Sequence, residues 1–467
     1  MIDGLGLDDA YGETLSRIKG QGEEEARLGM ATLMWISHSE RPLKVDELCQ
    51  ALGVEIGSPD LDSDDVPSIG TLLACCQGLV IVDKMASTVR LIHFTLQEYL
   101  RAHPELFGSA HSAMAETCLS YLNSHQVKAL SGDPYSFRLP PFLKYCSLYW
   151  GVHANRDLSD CAKLLALKLF DDYSNHISSK ILVEIEKPPN MAWGLEGPSR
   201  FSGLHCASFF GIVDIVAGLV EMEGCDINQT DLTGRAPIAW AALSGHEGVV
   251  KMLLERDDVI PSTAENGQTP LWYAACTGQE DMMKMLLERD DVNPDQLGDY
   301  WQTPLSGAAG RGHEGVVKLL LERDDVNPDK RDDYGRTPLW RAAWNGHEGV
   351  VKLLLERGGV KPGRVDGYGR TLLHDVAERG HEGVVKILLG RDDVNPDEPD
   401  RRGRTPLWYA ACTGREGVVK MLLERDDVNP NKPDHNGRTP LLCATLLGHT
   451  AVIALLEPPT SATSSTA

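Results

Sequence analysis

The second half of the chain repeats one arrangement of apolar and polar positions every 34 residues. Each period begins at a threonine, usually followed by Pro-Leu and an alanine pair. It continues with a polar Gly-His-Glu-Gly-like turn and a Val-Val-x-x-Leu-Leu run. A fixed period of this length predicts a stacked-repeat solenoid, whose function is normally found on its surface. The threonines of this ladder are Thr269, Thr303, Thr337, Thr371, Thr405 and Thr439.

Each period predicts two helices joined by a tight turn. In the period at Thr337, Gly335 supplies the positive φ of the turn, Thr337 can cap the first helix, and Pro338 is tolerated at its first position. The Val-Val-x-x-Leu-Leu run gives the second helix a buried stripe. This pattern resembles the ankyrin repeat, and counting from the ladder gives about eight repeats over residues 200–457. The resemblance implies a curved array of β-turn and helix–loop–helix units with a concave binding face.

Comparison of the repeats with each other separates scaffold from candidate recognition positions. The second helix hardly changes, whereas the hairpin tips and the outward positions of the first helix vary and are rich in Tyr, Trp and Arg, the side chains enriched at interface hot spots. We therefore predict a protein-binding groove. An alternative is that Trp240 and Trp344 only fill gaps between first helices. The predicted binding residues are Trp240, Tyr273, Tyr300, Trp301, Tyr334, Arg341, Trp344, Tyr368, Arg401, Arg402 and Tyr409.

Two features of the repeat half lead to further predictions. Trp301 occupies the place of the turn glycine, which predicts a distorted or rebuilt hairpin. In the first repeat Cys206, Phe209 and Phe210 are too apolar to face water together. We expect these three to pack against the preceding part of the chain.

The front half predicts a different architecture. Helical patterns at 23–37, 45–52 and 68–77 precede two short strands at 79–83 and 89–93 and a helix at 95–101, which is the order of a winged helix. The predicted fold is therefore mainly α, an ankyrin solenoid preceded by a winged-helix-like domain and a small helical bridge. The predicted segments are a leader at 1–22, the winged helix at 23–108, the bridge at 109–199, the repeats at 200–457 and a disordered tail at 458–467.

Charge argues against nucleic acid and membrane partners. The net charge is −23 and the pI is near 5.0, whereas such surfaces require clustered Lys and Arg. The would-be recognition helix at 68–77 contains no basic residue, so it lacks phosphate contacts and base readers. The longest apolar stretch, at 72–82, is too short to span a bilayer. A protein partner is expected.

Two segments of the front half resemble regulatory ATPases of the STAND class. They are Trp-Ile-Ser-His-Ser-Glu-Arg-Pro-Leu at 35–43 and Val-Arg-Leu-Ile-His-Phe-Thr-Leu-Gln-Glu-Tyr-Leu at 89–100. They look like the region that follows the NACHT module in fungal NLR-like ankyrin proteins, where a histidine matching His93 senses nucleotide. The chain has no Gly-x-x-x-x-Gly-Lys-Ser/Thr loop, so we expect His93 to pack at a strand end instead.

The chain thus resembles the C-terminal part of such a receptor without its ATPase module. We expect an intracellular scaffold that binds a protein on the concave repeat face. The alternative is a regulatory fragment that docks on a separately encoded nucleotide-switch ATPase.

No catalytic, metal or cofactor chemistry is expected. His246-Glu247 lacks the second histidine of a zinc helix, and the acidic loop from Asp60 lacks the glycine and glutamate of a calcium loop. No nucleophile elbow is present. The eleven scattered cysteines predict buried thiols, Cys75 and Cys76 among them, rather than a disulfide framework. This favours a reducing compartment, by default the cytoplasm, with the nucleus left open.

Overall fold

The computed structural model describes residues 7–130, 139–185, 199–262, 268–298 and 301–457. The chain divides into two compact units, Met1–Val259 and Ile260–Ala467. The first unit contains the front half and the first two repeats, and the second contains the six repeats that begin at the threonine ladder. The predicted disordered tail at 458–467 and the predicted binding residue Tyr300 lie outside the described residues.

The front of the first unit is a winged helix built from helices and one antiparallel hairpin. Strand β1 pairs with β2 so that Val80 lies opposite Leu91 and Asp83 opposite Thr88. The order and the approximate bounds agree with the sequence prediction. The elements are α1 (Leu7–Lys19), α2 (Glu23–His38), α3 (Val45–Leu52), α4 (Ile69–Cys75), β1 (Val80–Asp83), β2 (Thr88–Leu91) and α5 (Phe94–Ala102).

Helix α1 was missed by the sequence prediction, which treated residues 1–22 as a leader. Its residues Tyr11, Leu15 and Ile18 share one helical face and are buried. Helix α1 packs against α2 and α5, and the Tyr11 hydroxyl shares a hydrogen bond with Thr95 Oγ1 at 2.8 Å. It is therefore an integral part of the first unit.

His93 is exposed and does not pack at a strand end as expected. It is the N-cap of α5, where its Nδ1 accepts a hydrogen bond from the Thr95 backbone N–H at 3.3 Å. Its ring lies 4.5 Å from that of Phe94. The role of this side chain is local, because it satisfies an otherwise unpaired amide at the start of a helix.

Over its described residues, the rest of the first unit contains only helical elements. One 3-10 turn, Pro104–Leu106, follows α5 and precedes the bridge, and another, Tyr173–Asn175, lies within the bridge. The bridge helices are α6 (Ala110–Asn123), α7 (His125–Lys128), α8 (Leu143–Arg156), α9 (Asp160–Phe170) and α10 (Ile177–Ile185). The first two repeats are α11 (Gly203–Phe210) with α12 (Val213–Val220), and α13 (Pro237–Ser244) with α14 (Glu247–Leu254).

The first repeat packs on the bridge, as its apolar residues predicted. The ring of Phe210 lies 5.3 Å from that of Trp150, and Cys206 Sγ lies 3.3 Å from the Tyr173 hydroxyl oxygen, within reach of a hydrogen bond. Gly151 makes this approach possible, because a Cβ there would lie 2.1 Å from the Phe210 ring. Phe209 is half-buried and contacts Phe210 and the ring of Trp240.

The second unit stacks helix pairs. First helices of successive repeats contact each other, and so do second helices. Ladder threonines cap the first helices; Thr337 Oγ1, for example, accepts from the Trp340 N–H at 3.2 Å. The pairs are α15 (Pro270–Thr277) and α16 (Glu280–Leu287), α17 (Pro304–Arg311) and α18 (Glu314–Leu321), α19 (Pro338–Trp344) and α20 (Glu348–Glu356), α21 (Leu372–Arg379) and α22 (Glu382–Leu389), α23 (Pro406–Cys412) and α24 (Glu416–Leu423), and α25 (Pro440–Leu447) and α26 (Thr450–Leu456).

Trp301 keeps the hairpin geometry that was expected to be distorted. Its φ is +57°, close to the +74° of Gly335 in the corresponding position. The hydrogen bonds also match. Trp301 N–H donates to the Gly298 carbonyl at 3.1 Å, and Gly298 N–H to the Gln302 carbonyl at 2.8 Å. A tryptophan held in the left-handed region costs about 1–2 kcal/mol relative to glycine.

The cysteines depart from the sequence prediction at one place. Cys412 and Cys443, on first helices α23 and α25, form a disulfide. The pairing was missed because the two residues lie 31 positions apart and only the stacking of consecutive repeats brings them together. Cys75 and Cys76 are buried thiols, as predicted.

Candidate functional site: an aromatic and basic cleft

Aspartates fix the hairpin tips of the second unit. Asp332 Oδ1 accepts hydrogen bonds from the backbone N–H groups of Tyr334 and Arg336 at 3.0 and 2.8 Å. Asp366 does the same for Tyr368 and Arg370 at 2.8 and 2.9 Å. Each carboxylate thereby satisfies two turn amides, and the residue two positions on is left at the tip. Tyr334 and Tyr368 are consequently 64% and 74% exposed.

Helix α19 presents two stacked tryptophans. Trp340 and Trp344 are one helical turn apart, and their ring centroids lie 4.6 Å from each other with an interplanar angle of 23°. The Arg336 guanidinium lies 4.3 Å from the Trp340 ring centroid. The Arg379 guanidinium, on α21, lies 3.5 Å from the Trp344 ring centroid. Each such contact is worth about 0.5–1 kcal/mol at an exposed site, so this cluster is held in one arrangement.

These elements enclose a cleft of about 690 Å³ between the repeats that begin at Thr337 and Thr371. Its volume lies within the range of ligand sites, roughly 300–1,000 Å³. Tyrosine and tryptophan rings line it together with basic side chains from both repeats. The lining includes Arg331, Tyr334, Arg336, Trp340, Trp344, Lys361, Arg364, Val365, Tyr368, Arg370 and Asp375.

Arg370 and Asp375, which line the cleft, belong to an ion network. Arg370 contacts the carboxylates of Asp375 and Glu378, the latter at 2.6 Å, and Trp340 Nε1 donates to Asp375 Oδ2 at 2.6 Å. Burial raises the pKa of the Asp375 carboxyl, and the Arg370 charge and the Trp340 hydrogen bond oppose that rise. The Trp340–Asp375 hydrogen bond joins α19 to α21, and removal of either Arg370 or Trp340 would leave the buried Asp375 carboxylate with one partner fewer.

The structure places part of the predicted binding set at the surface. Trp301 is 59% exposed, and Tyr334, Tyr368, Arg401 and Arg402 are also exposed. Of the predicted set, Tyr334, Trp344 and Tyr368 come together in the cleft. Trp344 is half-buried, so it is partly available and partly a packing residue. Arg341 is half-buried as well and pairs with Asp332 at the base of its hairpin.

Three predicted binding residues are core residues instead. Trp240 is fully buried and its Nε1 donates to Asp231 Oδ2 at 2.9 Å. Tyr409 is 8% exposed and its hydroxyl donates to Asp400 Oδ2 at 2.9 Å.

Tyr273 is 4% exposed, with its hydroxyl bonded to Gln268. Each ring turns back under its own hairpin, where a polar partner satisfies its N–H or O–H, as buried Trp and Tyr require. The burial of Trp240 agrees with the alternative considered for it, that of a packing residue.

Sequence comparison missed Trp340 and the basic residues of the cleft. Neither Trp340 nor any of these basic residues belongs to the predicted binding set. The usable signal was the turn at 357–364, which reads Arg-Gly-Gly-Val-Lys-Pro-Gly-Arg where the preceding turn reads Arg-Asp-Asp-Val-Asn-Pro-Asp-Lys. These missed residues are Arg331, Arg336, Trp340, Lys361, Arg364 and Arg370.

Comparison with known families agrees with this architecture. The family model described as ankyrin repeats (3 copies) matches residues 204–297, 290–366 and 373–465, which together are more than half of the chain. A second model, ankyrin repeats (many copies), matches residues 346–389, which include helices α20 and α21. The chain belongs to the ankyrin-repeat family. Ankyrin repeats indicate a role in protein–protein interaction.

The front of the chain matches a different family model. Residues 17–113 match the family model described as GPI inositol-deacylase, winged helix domain, so a winged-helix domain of this type precedes the repeats. None of the matched models describes a catalytic domain. Over the residues that the structure describes, no helix has the length and apolar character needed to cross a membrane.

Proposed function

We propose that the chain is an intracellular recognition scaffold that binds a protein partner at the aromatic and basic cleft of the second unit. The observation that carries this proposal is the exposure of Tyr334 and Tyr368 on rigid hairpins beside the stacked tryptophans. Exposed tyrosines flanked by arginine are typical hot-spot residues. Because aspartates already hold the tips, little ordering entropy is lost on binding.

The wider assignment rests on the front half. Its likeness to the region after the NACHT module supports a place in an NLR-like receptor. In such a receptor the repeats recognise the partner protein, and the winged helix transmits the binding of that partner. We place this receptor part in the cytoplasm and assign it no enzymatic activity and no nucleic acid or membrane partner. The charge of −23 supports the absence of a nucleic acid or membrane partner.

A second candidate function is docking of the winged helix on a separately encoded nucleotide-switch ATPase. Ile92 and Phe94 favour it, since both are large apolar residues and are 52% and 66% exposed beside each other at the end of β2 and the start of α5. Neighbouring exposed apolar residues on a small domain are typical of a contact surface.

One reciprocal experiment separates the two candidates. The immobilised full chain captures partners from cell extract, and each captured protein is purified and its affinity measured. The double variant Tyr334→Ala with Tyr368→Ala should weaken the binding free energy of a partner that occupies the cleft by more than ~2 kcal/mol, the hot-spot scale. Ile92→Ala with Phe94→Ala serves as the matched control and should leave that partner unaffected. A captured partner whose binding is lost only in the Ile92→Ala, Phe94→Ala variant supports the second candidate and contradicts the first.

A further inference from the structure

The turn at residues 357–364 has lost the acidic character of its counterparts. The counterparts at 289–296, 323–330 and 391–398 each carry three aspartates and an asparagine. At the corresponding places this turn has Gly358, Gly359, Lys361 and Gly363. Three carboxylates are therefore missing and one cation is added, in a chain whose net charge is −23.

This change forfeits contacts that stabilise the other turns. In the counterpart at 323–330, Arg323 pairs with Asp325 at 2.8 Å and Asn327 Oδ1 accepts from the Asp329 N–H at 3.0 Å. Gly359 cannot pair with Arg357, which reaches Asp324 of the preceding repeat at 3.5 Å instead. A departure that weakens the scaffold locally is expected where a site has a function.

The altered turn supplies cations to one wall of the cleft. Lys361 and Arg364 are exposed there, and Arg331 and Arg336 come from the preceding hairpin. Arg364 pairs with Asp329 at 2.8 Å. Among the residues that the structure describes, Arg331, Arg336 and Lys361 form no ion pair with a carboxylate. Asp329 lies near this group, because the charges of Arg364, Arg331 and Lys361 oppose the rise in its pKa that burial causes. The cations outnumber this one carboxylate, so the wall is left with a positive charge that can attract an anion.

The aromatic rings of the cleft do not form a cage for a cation. Guanidinium groups already lie over Trp340 and Trp344, and Arg336 also lies 4.9 Å from the Tyr334 ring centroid. A lysine or methylated lysine from a partner would meet this positive charge. Exposed apolar surface nevertheless remains, since Val365 and Tyr368 are 50% and 74% exposed.

We infer that the cleft binds an acidic segment of a partner protein, in which carboxylates flank an aromatic or aliphatic side chain. This inference rests on the proposed function and names the chemistry of its partner. The carboxylates pair with Arg331 and Lys361 at the rim, and the apolar side chain lies between Val365 and Tyr368. A nucleic acid strand fits less well, because its backbone would leave this basic patch and run along acidic turns such as Asp324-Asp325.

The test measures binding of labelled peptides to the full chain by fluorescence anisotropy. The probe is a short peptide of glutamate, leucine and phenylalanine, compared with peptides in which glutamine or lysine replaces every glutamate. A labelled oligo-dT is the nucleic acid arm. The glutamate peptide should bind at least about tenfold more tightly than the others. Its affinity should fall as salt is raised, because rim charges are screened.

Two variants with equal loss of charge locate the binding. Arg331→Gln with Lys361→Asn should weaken the glutamate peptide by roughly tenfold, and both side chains are exposed, so folding should be unaffected. Lys318→Gln with Lys386→Gln removes the same charge from the exposed faces of α18 and α22 and should change affinity by less than about twofold.

Equal affinity for the glutamine peptide, tighter binding of oligo-dT, or equal losses in the two variants would overturn the inference. The proposed function would survive if a captured protein still depended on Tyr334 and Tyr368 while the glutamate peptide failed to bind.

Discussion

Trp340 Nε1 donates a hydrogen bond to Asp375 Oδ2 at 2.6 Å and thereby joins helix α19 to α21 of the next repeat. In the repeat at Thr371, the corresponding bridge is made by His374, whose Nε2 lies 3.1 Å from the Arg404 carbonyl. The tryptophan thus takes over the link between repeats, and it makes that link to a buried carboxylate instead of a backbone oxygen.

Trp340→Phe should lower the free energy of unfolding by about 1–3 kcal/mol, because it leaves the buried Asp375 carboxylate with one donor fewer. The measurement is urea denaturation. Trp408→Phe is the matched control, since Trp408 Nε1 donates to the Arg438 carbonyl at 3.2 Å and the loss there should stay near 1 kcal/mol. Equal losses of unfolding free energy in the two variants would show that the hydrogen bond to Asp375 stabilises the chain no more than the bond to a backbone carbonyl.

Trp301→Gly should raise the free energy of unfolding by about 1 kcal/mol, because it relieves a left-handed backbone and removes a largely exposed ring. Gly335→Ala is the mirror experiment at φ +74° and should cost about 1–2 kcal/mol, with open space around the added Cβ. If Trp301→Gly stabilises the chain and also weakens partner binding, the strained residue belongs to the recognition surface. A destabilised Trp301→Gly chain would contradict the backbone argument.

Acidification should destabilise the first unit through its buried histidines. Burial, helped by the charge of His111, lowers the pKa of His153 from 6.5 to about 3, and burial lowers that of His176 to about 4. The unfolded chain therefore binds protons that the folded one does not, so stability is full above pH 6.5 and is lost as pH falls.

Between pH 7.5 and pH 5, His153 alone should account for about 2 kcal/mol. Urea denaturation at the two pH values measures this, and His153→Gln should remove part of the difference. A profile that stays flat below pH 6.5 would show that these histidines are protonated in the folded state.

Phe210→Ala should cost about 3–5 kcal/mol, because Phe210 is buried between the first repeat and Trp150 of the bridge. Phe209→Ala is the neighbouring control and should cost less, since Phe209 is only half-buried. Denaturation followed by tryptophan fluorescence is suitable. Similar losses for both would mean that the Trp150 contact is not what anchors the first repeat.

The repeat architecture could be read from the sequence because its determinants are local. Threonine, proline and glycine set caps and turns within a few residues of Thr337, and the apolar run sets the second helix. The winged helix was predictable for the same reason. Helix α1 was missed because an amphipathic stripe of Tyr11, Leu15 and Ile18 at a chain end gives a short signal without a neighbouring motif.

The candidate site was only partly predictable, because burial in a stacked array depends on the adjacent repeat. Trp272 and Trp408 occupy the same slot as Trp340, yet they are buried and Trp340 borders the cleft. Tyr409 lies under its hairpin because its hydroxyl donates a hydrogen bond to Asp400 Oδ2. Such pairings join residues that a comparison of the repeats along the sequence treats one position at a time.

The most direct test of the account is amide hydrogen exchange of the full chain with and without its captured partner. We predict slower exchange at the hairpins around Tyr334 and Tyr368 and along α19, with little change in the second helices α18, α20 and α22. Protection confined to those second helices, or to the winged helix around Phe94, would contradict the assignment of the cleft as the recognition site.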